Sequence, residues 1–372
     1  MKGLLSVVLS ILLTVICWGL YGPVLKLGQD AFSPSPAVHG GGLLSFICVG
    51  LAYFVIAVVA PIVMLKSTGE KGHWSATGLF WSILAGVVTA VGALGIILAF
   101  TFHGSPVYVM PLVFGGAPVV NTFVTIHFAR AYKQIGPIFV AGLILVVAGA
   151  ITVMLSAPHP TPPAATTAAA QPDAKIATPA VAPSHEFRDK ALVILFTLMT
   201  AVCWGIYGPT LHKGQMAMAG SRLRPFLCVG LAYFLIAVIV PYLLLAIAPD
   251  LDPGRWSASG VFWSLAGGAA GAFGALGVIL AFNFGGKPIY VMPLVFGGAP
   301  VINTFAALTK SGMVSQIGPI FVAGLILVAA GAVTVLIFAP RAPAHAPPHA
   351  EESAKKQKEP AALGSGDRPR AQ

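Results

Sequence analysis

Acidic residues are scarce. Asp and Glu together number 11 among 372 residues, and none falls inside a long apolar run. A membrane-spanning segment without a carboxylate has no buried acid to relay a proton or to ligate Na⁺ in the usual way. The chain also lacks a Ser-His-Asp set, a cluster with metal-ligand spacing, a P-loop and a Gly-x-Gly-x-x-Gly turn after a strand. No catalytic residue, cofactor or metal is therefore expected, and the chain is not read as an enzyme or an ATP-driven pump. The four cysteines, Cys17, Cys48, Cys203 and Cys228, sit in apolar stretches without Cys-x-x-Cys spacing, so they read as small buried hydrophobes. Charge of either sign is thin at 9%, where soluble domains carry roughly 25%. The formal net charge of +10 is scattered over short loops and the C-terminal tail, which argues against nucleic acid as a partner.

What is present is apolar material, 57% of the chain, in runs of about twenty residues, the length that spans roughly 30 Å of hydrocarbon. The expected fold is an all-α integral membrane protein in contact with a lipid bilayer. Five spans fall near residues 3–24, 40–65, 78–102, 106–126 and 135–156, and five more near 190–211, 225–248, 260–282, 288–309 and 317–338. Strands are excluded because the runs do not alternate and only helices or closed barrels satisfy their backbone in lipid. The first run follows a charged start, as a signal peptide does, but its internal equivalent at Lys190–Pro209 argues for a retained helix.

The two sets of spans are copies. "YVMPLVFGGAPVVNTF" at Tyr108–Phe123 returns as "YVMPLVFGGAPVINTF" at Tyr290–Phe305, "CWGLYGP" at Cys17 returns as "CWGIYGP" at Cys203, "CVGLAYF" at Cys48 recurs at Cys228, and "QIGPIFVAGLILV" at Gln134 recurs at Gln316. An odd number of spans per copy makes the second copy enter the membrane in the opposite sense, so the sequence predicts two inverted five-helix repeats. Their bounds are 1–156 and 190–338. An Ala/Pro/Thr-rich linker at 157–189 and a Pro- and charge-rich tail at 339–372 have little to bury and read as disordered. With a cytoplasmic N-terminus, nine short-loop basic residues (Lys2, Lys66, Lys71, Arg130, Lys133, Lys213, Arg222, Arg224 and Lys287) lie inside against three outside (Lys26, Arg255 and Lys310). The imbalance predicts a multi-pass protein of the inner (plasma) membrane with both termini cytoplasmic.

Candidate site residues follow from the repeated motifs. Gly115, Gly116 and Pro118, with Gly297, Gly298 and Pro300, fall near mid-span, where a proline without an N–H beside two glycines predicts a kink or a short unwound segment. Paired broken helices mark substrate sites in transporters built from inverted repeats, while a packing kink is the simpler reading. Asn121-Thr122 and Asn303-Thr304 follow closely and offer donors and acceptors either to a neutral polar substrate or to a neighbouring helix. Trp18, Tyr21, Trp204 and Tyr207 stand beside a second set of helix breakers, Gly22-Pro23 and Gly208-Pro209, as a substrate surface or gate or as interfacial anchors. Tyr53, Tyr233, Trp81 and Trp263 are also matched across the copies and read as packing. The small-residue run at Gly267–Gly277, with Gly267 and Gly271 in G-x-x-x-G spacing, reads as a close helix contact.

These motifs resemble the drug/metabolite transporter superfamily in its ten-span EamA-type branch. The resemblance rests on "CWGLYGPVLKLG" with its Trp-Gly pair and downstream Lys26, and on "SPVYVMPLVFGGAPVV" leading to "IGPIFVAGLILVVAGA". It implies a central cavity lined by the early and fourth helices of each half, peripheral fifth and tenth helices, and alternating access. The acidic turn that many relatives carry after the fourth helix is missing from "HFARAYKQ" and "LTKSGMVSQ". The expected function is a secondary transporter or facilitator of a small neutral polar solute of the sugar, nucleobase or ureide type, possible as a homodimer. The alternatives are an exporter of amino acids or drug-like solutes and a non-transporting membrane sensor or scaffold.

Overall fold

A computed structural model describes residues 2–35, 40–158, 183–286 and 288–340. Among them there is no strand, and ten helical segments are long and apolar enough to cross a membrane. In chain order they are α1 (Lys2–Phe32), α2 (Gly42–Thr68), α3 (Ala76–Thr101), α4 (Pro106–Ala129), α5 (Pro137–Ser156), α6 (Pro183–Ala217), one span made of α7 (Leu223–Phe234) and α8 (Val240–Ile247), α9 (Ala258–Asn283), α10 (Pro288–Ser311) and α11 (Pro319–Ile337). A π-helical turn, Leu235–Ile239, joins α7 to α8, whereas the equivalent stretch of α2 is regular α-helix. The multi-pass membrane class expected from composition is what these helices show. Large hydrophobics such as Leu155, Ile247 and Phe262 are exposed, as surfaces meant for acyl chains are.

Two expectations need correction. The Gly-Pro sites do not unwind their helices: α4 runs unbroken through Pro111 and Pro118, α10 through Pro293 and Pro300, α1 through Pro23 and α6 through Pro209. One missing N–H removes one hydrogen bond, whereas unwinding in hydrocarbon strands several backbone groups, so the helix carries through. For the same reason α1 extends past Pro23 to Phe32. The start of the second repeat also moves, because α6 begins at Pro183, inside the span assigned to the linker. Residues 159–182 of that linker and 341–372 of the predicted tail lie outside the described residues.

The helices of one half pack against those of the other by a reciprocal rule. Helix α1 lies on α9 and α10, while its equivalent α6 lies on α3 and α4; α2 meets α7, and α5 meets α11. Small residues make these approaches close. A methyl group on Gly28 would reach Ser264 of α9, and one on Gly214 would reach Ser82 of α3; Gly149 abuts Val328 and Gly331 abuts Val146. Serine N-caps repeat the pattern. Ser75 caps α3 at Gly78 N–H and donates to the Ala217 carbonyl at 2.7 Å, and Ser257 caps α9 at Gly260 N–H and donates to the Ala31 carbonyl at 2.7 Å.

The loop acids complete the reciprocity. Glu70, after α2, accepts from the backbone N–H of Arg222 at 2.7 Å and from the Ser221 hydroxyl at 3.1 Å, at the start of α7. Asp252, after α8, accepts from the backbone N–H groups of Gly41 and Leu43, the latter at 2.7 Å, at the start of α2. Each half thus caps the second helix of the other half, where the helix dipole favours a carboxylate. The two caps sit at opposite ends of α2, since Gly41 precedes it and Glu70 follows it.

Candidate functional site

At the centre, six aromatic side chains from four helices meet. Tyr53 of α2 and Tyr233 of α7 stack face to face, with ring centroids 4.1 Å apart and planes inclined by 4°. Both rings are buried, at 5% and 2% exposure. The ring of Tyr21 lies 6.0 Å from that of Trp204, and Tyr207 packs on the same buried core. Gly271 of α9 borders both rings: a methyl there would make ordinary contact with Tyr21 at 3.5 Å and Tyr53 at 3.8 Å.

The tryptophans are fixed by their indole N–H groups. Trp18 donates to the Gly271 carbonyl at 3.1 Å and Trp204 to the Thr89 carbonyl at 3.3 Å, on α9 and α3 respectively. Thr89 and Gly271 are equivalent positions of the two copies, so each indole binds the opposite half at the same place. Thr14 and Thr200, one turn earlier, donate in the same way to the carbonyls of Gly274 and Gly92. Two hydroxyls in this region are buried without a partner, Tyr21 Oη and Thr89 Oγ1.

The amides flank the centre. Asn303 is completely buried, its Nδ2 donating to the Pro106 carbonyl at 2.7 Å, and its Oδ1 stands against Gly22. Asn121 stands against Gly208, and it is half-buried. The threonines that follow turn elsewhere. Thr122 donates to the Pro118 carbonyl of its own helix at 2.9 Å, and Thr304 lies in an outward apolar groove of about 400 Å³ between α10 and α11. The glycines of the repeated motif serve packing, with Gly116 against Ala201 of α6 and Gly298 against Val15 of α1.

The equivalent surroundings of Gly22 and Gly208 differ. A methyl on Gly22 would lie 2.6 Å from Met110 Cγ and 2.8 Å from Asn303 Oδ1, and Tyr21, Gly22 and Pro23 are all buried. On Gly208 it would meet only Asn121, at 3.0 Å. No atom of Met292, the copy of Met110, is among its nearest neighbours, and Gly208 is exposed with Tyr207 half-buried.

Of the residues singled out from the sequence, Tyr21 and Trp204 come into ring contact, Trp18 and Tyr207 pack on the same core with the Trp18 ring against Phe296, Asn121 and Asn303 stand beside Gly208 and Gly22, and Thr122 and Thr304 turn away. Tyr53 and Tyr233, assigned to packing, are buried and packed on one another, and the sequence analysis did not single out the Glu70 and Asp252 caps. The signal for the caps was available in the aligned "EKGHWSA" and "DPGRWSA", which place an acid at the same repeat position. No protein-family model matches the chain, and no curated protein is significantly similar to it.

Proposed function

We propose that this membrane protein is an alternating-access carrier for a small, neutral, polar solute, with the aromatic centre as its binding site. One observation carries the reading: a reciprocal architecture in which two equivalent crossings, alike in closeness at Gly19 and Gly205, are packed differently one turn later, tightly at Gly22 and loosely at Gly208. A carrier with repeats related by a pseudo-twofold axis reaches its opposite-facing state by exchanging the conformations of its two copies. The end contacts support the inverted relation. Helix α1 ends beside Ser257, on the Asp252 side, and α6 ends beside Ser75, on the Glu70 side. The basic residues Lys66, Lys71, Lys213, Arg222 and Arg224 gather on the Glu70 side, which makes it cytoplasmic by the positive-inside rule and the loosely packed crossing inward-facing.

Neutrality of the solute follows from the centre's inventory of tyrosine hydroxyls, indoles and amides, with no charged side chain among them. We keep the EamA-type assignment within this proposal, resting on the Trp-Gly, Gly-Gly-Ala-Pro and Ile-Gly-Pro motifs. Reconstituted protein tests the function. Saturable solute flux and counterflow above empty vesicles are expected, with Trp204→Ala lowering the rate at least about tenfold by removing one anchored indole. Flux indistinguishable from empty vesicles across neutral polar solutes, amino acids and drug-like amines would leave a sensor or scaffold instead.

A further inference from the structure

Resting on the carrier reading above, we infer that the solute is a flat, uncharged heterocycle with a hydrogen-bonding edge, taken between the rings of Tyr53 and Tyr233. These two side chains occupy equivalent positions in the two copies and stack as near-parallel rings with centroids 4.1 Å apart. A parallel stacked pair offers two π surfaces that suit a third ring between them. Opening the plates by about 3.5 Å, one ring thickness at van der Waals contact, admits a planar guest. A sugar chair is thicker and has no π face to offer both plates.

The helices beneath the plates are built for such a movement. Small residues bring α2 close to this span, Gly50 against Ala237 of the π-helical turn and Gly230 against Ala57, and aromatic pairs, Tyr53 with Tyr233 and Phe54 with Phe234, line the contact. The π-helical turn Leu235–Ile239 begins two residues after Tyr233, and α2 has none after Tyr53. Single π turns concentrate at functional sites because the widened ladder shifts register at little expense. One plate thus stands on a regular helix and the other beside an adjustable one.

Polar recognition is left for the guest's rim. Tyr21 Oη and Thr89 Oγ1 are both buried and unpartnered. Tyr21 shares the space beside Gly271 with Tyr53, and Trp204, whose ring is tilted against Tyr21 at 6.0 Å, binds the Thr89 carbonyl through its N–H. A buried hydroxyl without a partner is unfavourable unless something else satisfies it, and a heterocycle's carbonyl or ring N–H does so. The absence of any charged group selects the uncharged form.

The test uses the full-length protein in detergent with uracil and hypoxanthine as flat probes and glucose and rhamnose as puckered ones, following melting temperature and tryptophan fluorescence. Both flat probes should raise the melting temperature and quench the indoles, and the sugars should do neither. Tyr53→Leu and Tyr233→Leu should weaken flat-probe binding roughly 5- to 150-fold, the range that stacking on one aromatic supplies. Tyr21→Phe separates recognition from folding. It removes an unsatisfied oxygen, so the unliganded protein should melt no lower than wild type, while the dissociation constant rises at least about fivefold. Binding of a sugar but not of the flat probes, binding of neither kind, or flat-probe binding unaffected by Tyr233→Leu and Tyr21→Phe would overturn the inference. Saturable sugar flux in vesicles alongside such a result leaves the carrier reading standing. Flat-probe binding as expected but without flux leaves this site standing and removes the carrier.

Discussion

The crossing of α1 with α10 and the crossing of α6 with α4 are built from nearly the same motifs, with Ile302 in one where Val120 stands in the other, and their surroundings differ. Around Gly22, Met110 and a wholly buried Asn303 fill the space; around Gly208, only a half-buried Asn121 approaches. The contrast extends outward. Lys310 of α10 pairs with Asp30 of α1 at 3.5 Å beyond the tight crossing. At the loose one the position of Lys310 is taken by Phe128, and Lys213 of α6 lies 3.5 Å from that ring's centroid. Nearly identical motifs therefore do not fix one packing.

The largest effect should come from the acid caps that hold the ends. Asp252→Ala strands the N–H groups of Gly41, Leu43, Leu44 and Gly254, and Glu70→Ala strands those of Arg222 and Leu223. Hydrogen bonds to a charged group are worth about 1.5–3 kcal/mol, so each variant should lose about that much stability, Asp252→Ala the more. Chemical denaturation of the purified variants checks the order, and a neutral Asp252→Ala would break the reciprocal-cap description.

Next in size is the glycine pair. Gly22→Ala forces Met110 or Asn303 aside and should cost about 1–3 kcal/mol, as overpacking does. Gly208→Ala meets one amide at 3.0 Å and should stay within about 0.5 kcal/mol of wild type. Equal losses in thermal melts would mean that the two crossings are packed alike.

The amides should differ in the same sense. Asn303→Ala leaves the Pro106 carbonyl without its donor and should cost about 1–2 kcal/mol. Asn121→Ala should cost at most about 0.6 kcal/mol, the ordinary worth of an interhelical polar contact in a membrane protein. Paired melting curves decide, and a larger loss for Asn121→Ala would reverse the assignment of tight and loose.

The smallest contrast lies in two serines. Ser264 shares a hydrogen bond of 2.7 Å with Ser45, whereas Ser82, its copy, is buried without a partner. The repeat position of Ser45 is Pro225 in the second half, which has no hydroxyl to give. Ser264→Ala should therefore cost about 0.5–1.5 kcal/mol and Ser82→Ala nothing measurable, or a slight gain.

How much of this was written in the chain depends on whether one copy or both had to be read. Span number, the duplication and the packing of Trp18, Tyr21, Trp204 and Tyr207 on one core follow from motif composition, because apolar length and a repeated aromatic register are local properties. Of the kink or unwound segment expected at Pro118 and Pro300, the unwound form does not occur, because lipid penalises an unwound backbone more than a proline penalises a helix. The stacked Tyr53 and Tyr233 were invisible as a pair: their contact depends on α2 meeting α7, 180 residues away in sequence. Glu70 and Asp252 read as ordinary loop acids until the opposite half supplied their partners.

The central claim, that one crossing is loosely packed and its copy tightly packed, is tested most directly by thiol accessibility. With Cys17, Cys48, Cys203 and Cys228 replaced by alanine, Asn121→Cys and Asn303→Cys are each exposed in oriented vesicles to a membrane-impermeant maleimide from either side. The account predicts rapid labelling of Asn121→Cys from the Glu70 side only and protection of Asn303→Cys from both sides, until Asp252→Ala releases its end and makes Asn303→Cys reactive from the Asp252 side. Equal labelling of both cysteines, or labelling of both from the same side, would contradict it.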